Sequence, residues 1–243
     1  MKTKDIILSR KWDILIILDA CRYDVFKELY GSEFNVLEGE SEGSCTVEWF
    51  YNTFVVNNVR LDDVVYVSGS PYVTNYLTYL DHMKYYGRNY FFRVVDVWDF
   101  GFRKVGYAYV VDPQMVYNWF NIVKTIHKNK RFIVHFMQPH APYPHCKELS
   151  KYYIDKVGYP DLKLWEAMRK GEVNPKLALE CYKVNLDWVM KYVYKIVENN
   201  RDKRIVITAD HGEAFGEHGL YDHPCYRSES ILRKVPLVFC DKN

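Results

Sequence analysis

Asp210 and His211 sit side by side where a β-branched run, Ile205 to Thr208, gives way to polar residues, and His218 and His223 follow shortly after. Such a run reads as a buried strand. The side chains that end it occupy the carboxyl edge of a sheet, where open α/β folds place their ligands. Carboxylate oxygen beside imidazole nitrogen suits a borderline divalent cation such as zinc or manganese. Gly212, Gly216 and Gly219 leave the backbone free to turn tightly around whatever these groups grip. A second carboxylate, Asp19, ends the apolar run that starts at Trp12, and burying it is costly unless it is paired or bound to a metal. His140 follows a third run, Arg131 to Met137, while His135 inside that run reads as a hydrogen-bonded core histidine. Thr46 stands at or near the start of a helix beginning at Val47, beside free backbone N–H groups. Its hydroxyl is either a cap or a nucleophile activated by the metal that Asp19 would bind. Arg22 and Asp24 read first as a local ion pair shaping the turn after Asp19.

The elements that must position these groups alternate along the chain. Continuous apolar runs at Trp12–Asp19, Arg131–Met137 and Ile205–Thr208 read as strands buried on both faces, as in a parallel sheet covered by helices. Shorter strands are expected at 34–38, 63–68, 94–98 and 235–239, and helices at 113–129 and from Asn174 to about Asn199. The second helix opens with an Asn cap and a proline at its first turn. Leu177, Cys181, Val184 and Trp188 are its expected core stripe. Residues 145–173 carry no clear pattern and read as a substrate-side insertion in a single domain spanning 1–243.

Composition narrows the class. With 49% hydrophobic and 26% charged residues the chain reads as an ordinary globular protein. A net charge of +2, without a basic cluster interleaved with aromatics, argues against a nucleic-acid partner. No apolar stretch approaches the roughly 20 residues of a membrane span. Met1 to Asp5 lead into a short strand-like run rather than a signal peptide, and the six cysteines include no closely spaced pair. These features lead to the expectation of a cytoplasmic protein with free thiols.

Four strand ends thus direct polar groups towards one place. The segments that carry them resemble the alkaline phosphatase superfamily, and within it the sulfatase-like hydrolases with a threonine nucleophile. Leu15–Asp24 looks like the opening strand with its metal aspartate and Arg-x-Asp; Val134–Tyr143 is similar to the Asp-Pro-His-x-Pro-Tyr block; Ile207–Gly219 is the most specific match; Val235–Phe239 looks like the closing strand. The resemblance implies a three-layer αβα sandwich with a mostly parallel central sheet, alkaline phosphatase-like. It implies that Asp19, Asp210 and His211 hold one metal tightly, with Thr46 as nucleophile and Arg22 among the catalytic residues. His140 and His223 would form a second metal site or bind substrate, and His218 would contact substrate. Two departures stand out. Cys45 is followed by Thr-Val-Glu-Trp, without the proline and arginine that accompany formylglycine formation. Gln138 replaces an aspartate of two-metal members, which implies a weaker second site. The implied function is metal-dependent hydrolysis of phosphate mono- or diesters, small anionic substrates, through a phosphothreonyl intermediate. A phosphoryl or substituted-phosphoryl transferase, a sulfate ester hydrolase and a catalytically silent anion-binding protein are the alternatives.

Overall fold

The structure, a computed structural model, describes residues 1–153 and 162–240. Its strands in chain order are β1 (Ile14–Leu18), β2 (Leu37–Glu40), β3 (Leu61–Ser68), β4 (Leu77–Leu80), β5 (Met83–Tyr86), β6 (Phe91–Asp96), β7 (Phe102–Val105), β8 (Ala108–Val111), β9 (Arg131–Phe136), β10 (Ile205–Thr208), β11 (Ala214–Phe215), β12 (Tyr221–Asp222) and β13 (Lys234–Cys240). The helices are α1 (Thr3–Ser9), α2 (Tyr23–Tyr30), α3 (Thr46–Phe50), α4 (Val97–Phe100), α5 (Pro113–Ile126), α6 (Leu162–Arg169), α7 (Pro175–Glu198) and α8 (Ser230–Arg233).

Seven strands form the central sheet in the order β2-β13-β10-β1-β9-β3-β6. The pairings from β10 across β1, β9 and β3 to β6 are all parallel, and β13 runs antiparallel to both of its neighbours. The strand β1 shows why the sheet is covered on both faces. Ile14, Ile16 and Leu18 enter one apolar cluster with residues of α2, α5 and α7, whereas Leu15 and Ile17 enter another with residues of α1 and α3. A fully apolar strand is what two covered faces require. The expected αβα sandwich is therefore the observed architecture.

Several local expectations need correction. The strand-like run after Asp5 is part of α1, and β2 begins at Leu37, inside the predicted strand, and extends through Glu40 into what reads as a polar loop. Two hairpins, β4–β5 and β7–β8, occupy segments that carried no confident pattern. The expected insertion at 145–173 shows a 3₁₀ turn at Lys147–Tyr152 and α6, and its remaining part lies outside the described residues. Helix α7 has its predicted bounds, with Asn174 accepting from the Lys176 N–H, but its core stripe is phased differently. Ala178, Cys181, Tyr182, Leu186, Val189 and Val193 face inward; Leu177 and Val184 are exposed. The sheet and the 211–215 segment press on α7 along a broader face than one stripe of four residues covers.

Four of the six cysteines are paired, Cys45 with Cys225 and Cys146 with Cys181. This overturns the expectation of free thiols, and with it the main support for a reducing cytoplasm, because such cross-links form and persist in oxidising surroundings. No helix among the described residues is long and apolar enough to cross a membrane.

The phase of α7 is testable by equilibrium unfolding. Leu186→Ala, fully buried, is expected to cost about 2–5 kcal/mol. Val184→Ala, at a position 48% exposed, should stay within about 0.5 kcal/mol of the parent. Equal losses at the two positions would contradict the observed packing.

Candidate metal centre and nucleophile

The carboxyl ends of β1, β9 and β10 meet because of their register. Ile17 lies opposite both Thr208 of β10 and His135 of β9. Continuing the alternation by two residues puts Asp19 and Asp210 on the same face as His135, the face that α3 covers. All three are buried, and one ligand atom from each lies within 4.8 Å of the others. His135 Nε2 stands 3.4 Å from Asp19 Oδ2 and 3.9 Å from Asp210 Oδ2. His211 Nε2 lies 3.6 Å from Asp19 and 3.4 Å from Asp210.

Asp210 is held rigidly. Its Oδ1 accepts from the backbone N–H groups of Ala20 (3.1 Å) and His211 (2.9 Å), and Ser41 donates its hydroxyl to the Asp210 carbonyl. Oδ2 is thereby left for the Thr46 hydroxyl, which donates to it at 2.8 Å, and His211 Nε2 lies 3.2 Å from Thr46 Oγ1. The Gly212 carbonyl accepts from His211 Nδ1 at 2.8 Å, so the lone pair of Nε2 faces the cleft. Gly212 has no substitute here, since a Cβ would lie 2.2 Å from the Ile231 carbonyl. On the Asp19 side, Ala20 adopts a left-handed φ of 59°, and Tyr182 of α7 braces that turn by donating to the Ala20 carbonyl and accepting from the Arg22 N–H, both at 2.8 Å.

Both carboxylate oxygens of Asp19 and Nε2 of His135 are buried without a hydrogen-bond partner. Leaving three such atoms dry and unpaired costs several kcal/mol in total by the usual scale of about 1–3 each. Burial opposes ionisation of Asp19, yet the facing His135, with His140 and His211 beside it, holds its carboxyl well below the usual carboxylate range. A buried, ionised and unpaired carboxylate beside imidazole lone pairs is a donor set that fits a divalent cation.

A second cluster adjoins the first. His140, Glu213 and His223 also bring ligand atoms within 4.8 Å of one another. The His223 ring stacks on His211 at 4.5 Å and meets His140 edge-on at 4.8 Å. Asn185 of α7 donates to the carbonyls of Pro139 and His140 and so fixes that loop. His223 Nδ1 lies 3.1 Å from Glu213 Oε1. Burial pushes the Glu213 carboxyl up despite the partner imidazole. Burial likewise opposes a charge on His223, but Glu213 and Asp222 more than offset it and hold the imidazolium well above its ordinary range.

The Thr46 loop and the His223 loop are tied together. Cys45, the cap of α3, is bonded to Cys225, so the expected free thiol beside Thr46 is instead a cross-link. The buried Glu48 carboxylate accepts from the N–H groups of Ser44 and Tyr226, and Ser44 donates its hydroxyl to the Pro224 carbonyl.

The structure thus brings Asp19, Thr46, Asp210 and His211 together, with His140 and His223 next to them. It places Arg22 elsewhere: the guanidinium is bidentate to Asp24 and bonded to Glu217 at 2.6 Å, the ion pair that its spacing suggests. His218 is exposed on the turn beyond the motif. Gln138 belongs to neither cluster; its Nε2 donates to the Val111 carbonyl at 2.9 Å. Two residues of the site escaped the sequence reading. His135, which reads as a core residue, shares the parity of Ile133, and period-2 alternation with the correct register places it beside Asp19. Glu213, next to Asp210-His211-Gly212, supplies the carboxylate whose absence at Gln138 implied a weak second site.

A mostly parallel sheet flanked by helices, with Asp and His groups around a hydroxyl at its carboxyl edge, defines an alkaline phosphatase-like fold. The Sulfatase family model matches residues 44–240, and the chain belongs to that family of enzymes. Among solved structures, the soluble domain of lipooligosaccharide phosphoethanolamine transferase A from Neisseria meningitidis is similar with a TM-score of 0.57 and 14% identity, over 93% of this chain and 75% of that one. A 2-O GAG sulfatase gives a TM-score of 0.57 at 12% identity, over 96% of this chain and 64% of that one. The C-terminal periplasmic domain of EcEptC from Escherichia coli, solved in complex with zinc, gives 0.52 at 12% identity, over 95% and 72%. By sequence, the chain matches none of the curated proteins. A periplasmic domain among the fold's relatives joins the two disulfides in correcting the expectation of a cytoplasmic protein.

Two measurements follow from this geometry. Non-reducing peptide mapping should recover Cys45 joined to Cys225, and Cys45→Ser should lower stability by about 2–4 kcal/mol rather than act silently. Zinc titration calorimetry in buffers of different ionisation enthalpy should show release of about one proton near neutral pH, because His223 must lose its proton to ligate. Affinity should rise with pH through that range. Proton-neutral binding would mean that His223 is not a ligand.

Proposed function

We propose that this protein cleaves phosphate esters with Thr46 as nucleophile, outside the cytoplasm. The observation that carries the reading is the Thr46 hydroxyl, hydrogen-bonded to Asp210 and 3.2 Å from the His211 lone pair. Asp19, His135, Asp210 and His211 would hold one divalent cation, and His140, Glu213 and His223 a second. Zinc is the better match to this imidazole-rich set, with manganese next. When bound, such cations supply Lewis acidity that offsets charge on the phosphoryl oxygens. The protein's own part begins with the hydroxyl proton, which has Asp210 Oδ2 and His211 Nε2 within reach. As that proton leaves, Oγ1 forms a bond to phosphorus, the ester bond on the opposite side breaks, and the departing alkoxide takes up a proton as alcohol. Thr46 then carries the phosphoryl group as its own ester. Attack by water restores the threonine and completes hydrolysis; attack by a second alcohol completes a transfer.

Hydrolysis is the first reading for small anionic esters. Transfer is the second, favoured by the fold's likeness to a phosphoethanolamine transferase. Sulfate esters fit less well, because Cys45 is bonded to Cys225 and a threonine holds the next position. The near-neutral charge balance keeps nucleic acid out of the proposed substrates.

The test is turnover of chromogenic phosphate mono- and diesters with zinc or manganese present. Thr46→Ala should lower kcat/KM by at least roughly a thousandfold, as nucleophile removal does in other covalent mechanisms. Thr46→Ser should keep an acid-trappable phosphoenzyme. Unchanged turnover in Thr46→Ala would remove Thr46 from the mechanism. Product partition between water and added glycerol separates hydrolysis from transfer.

A further inference from the structure

The hairpin β4–β5 packs one face inward, with Tyr85 stacked on Phe50 at 4.3 Å and Met83 in the same apolar cluster. Its other face is set by the register, which pairs Leu77 with Tyr86 and Tyr79 with Lys84. These four outward positions are all exposed, Tyr79 by 70%, and Tyr76 beside them by 57%. The Arg88 guanidinium lies 4.9 Å from the Tyr86 ring centre and adds a second cation to the patch. Nothing about folding requires apolar groups here, and the other hairpin shows the alternative, with Arg103 and Lys104 at its exposed positions. Single exposed apolar residues are ordinary, but a contiguous group rimmed by cations marks an interaction surface.

We propose that this outer face docks on an anionic lipid bilayer. Tyrosine rings favour the headgroup level of a membrane, where an apolar body and a wet hydroxyl are both accommodated. Lys84 and Arg88 complement anionic headgroups beside them. The hairpin also borders the cleft: Asp81 in its turn accepts from the Tyr226 hydroxyl at 3.1 Å, and His82 stacks on the Tyr226 ring. Tyr226 follows Cys225, which is bonded to the neighbour of Thr46. Docking through this face therefore sets the nucleophile's cleft next to the membrane surface. The proposal does not depend on the ester chemistry above.

Co-sedimentation of the full chain with phosphatidylcholine vesicles, with and without phosphatidylglycerol, tests it. Binding is expected to the anionic vesicles and to weaken with added salt. Lys84→Gln combined with Arg88→Gln should weaken it about thirtyfold, the effect of losing two cations at an anionic surface. Tyr79→Ser combined with Tyr86→Ser should also weaken it, while turnover of a water-soluble ester stays at the parent level in both variants. Failure of the parent to bind anionic vesicles, or parent-like binding by both variants, overturns the proposal. So does a dimer of the parent that the tyrosine variant dissociates, since the face would then be covered by a second copy.

Discussion

Two carboxylates, Asp19 and Asp210, end neighbouring parallel strands in a dry cleft, and like charges so placed repel strongly where the local dielectric is low. Most of the surrounding structure manages that repulsion. Asp210 is quieted by two backbone N–H groups and by Thr46. The Asp19 carboxylate has no hydrogen-bond partner, and the imidazoles of His135, His140 and His211 face it. Carboxylate and imidazole donors held in this condition fit a divalent cation.

Holding the arrangement requires bracing from parts of the chain that take no part in the chemistry. Tyr182 and Asn185, three residues apart and on one face of α7, fix the Ala20 turn and the His140 loop respectively. On the other side, the Cys45–Cys225 bond and the Glu48 carboxylate join the Thr46 loop to the segment just beyond His223. The two clusters are therefore coupled covalently as well as electrostatically. Arg22 does related work at a remove: its ion pairs to Asp24 and Glu217, with a weaker bond to the Glu213 carbonyl at 3.4 Å, connect the loop after β1 to the one that carries Glu213.

The disulfides alter the meaning of the composition. Cysteines scattered without a short-range motif read as free thiols, yet Cys45 and Cys225 are 180 residues apart in sequence with Cα atoms separated by 5.1 Å. The pairing is a consequence of the fold and carries no local signature. The β4–β5 hairpin is a similar case. Tyrosines in a segment without clear periodicity suggest little until pairing assigns Tyr85 to the core and Tyr79 and Tyr86 to the surface.

The sequence by itself determined the apolar strands, the helix starts at Pro113 and at Asn174-Pro175, and the Asp-His pair at a strand's carboxyl end, because each depends on residues close together in the chain. Those local patterns sufficed for a parallel sheet covered by helices, which the family resemblance made an αβα sandwich, and for Asp19, Thr46, Asp210, His211, His140 and His223 as neighbours. Tertiary structure alone decided the rest. His135 joined the site through the register of β9 against β1, and Glu213 through the fold of the 211–223 segment over His140. Arg22, whose pairing with Asp24 its spacing already suggests, gained Glu217 as a distant partner, and Gln138 turned to the Val111 carbonyl. The inward face of α7 was set by what packs on it. Register, packing phase and cross-chain pairing arise from contacts between distant segments, and a single sequence carries no local record of them.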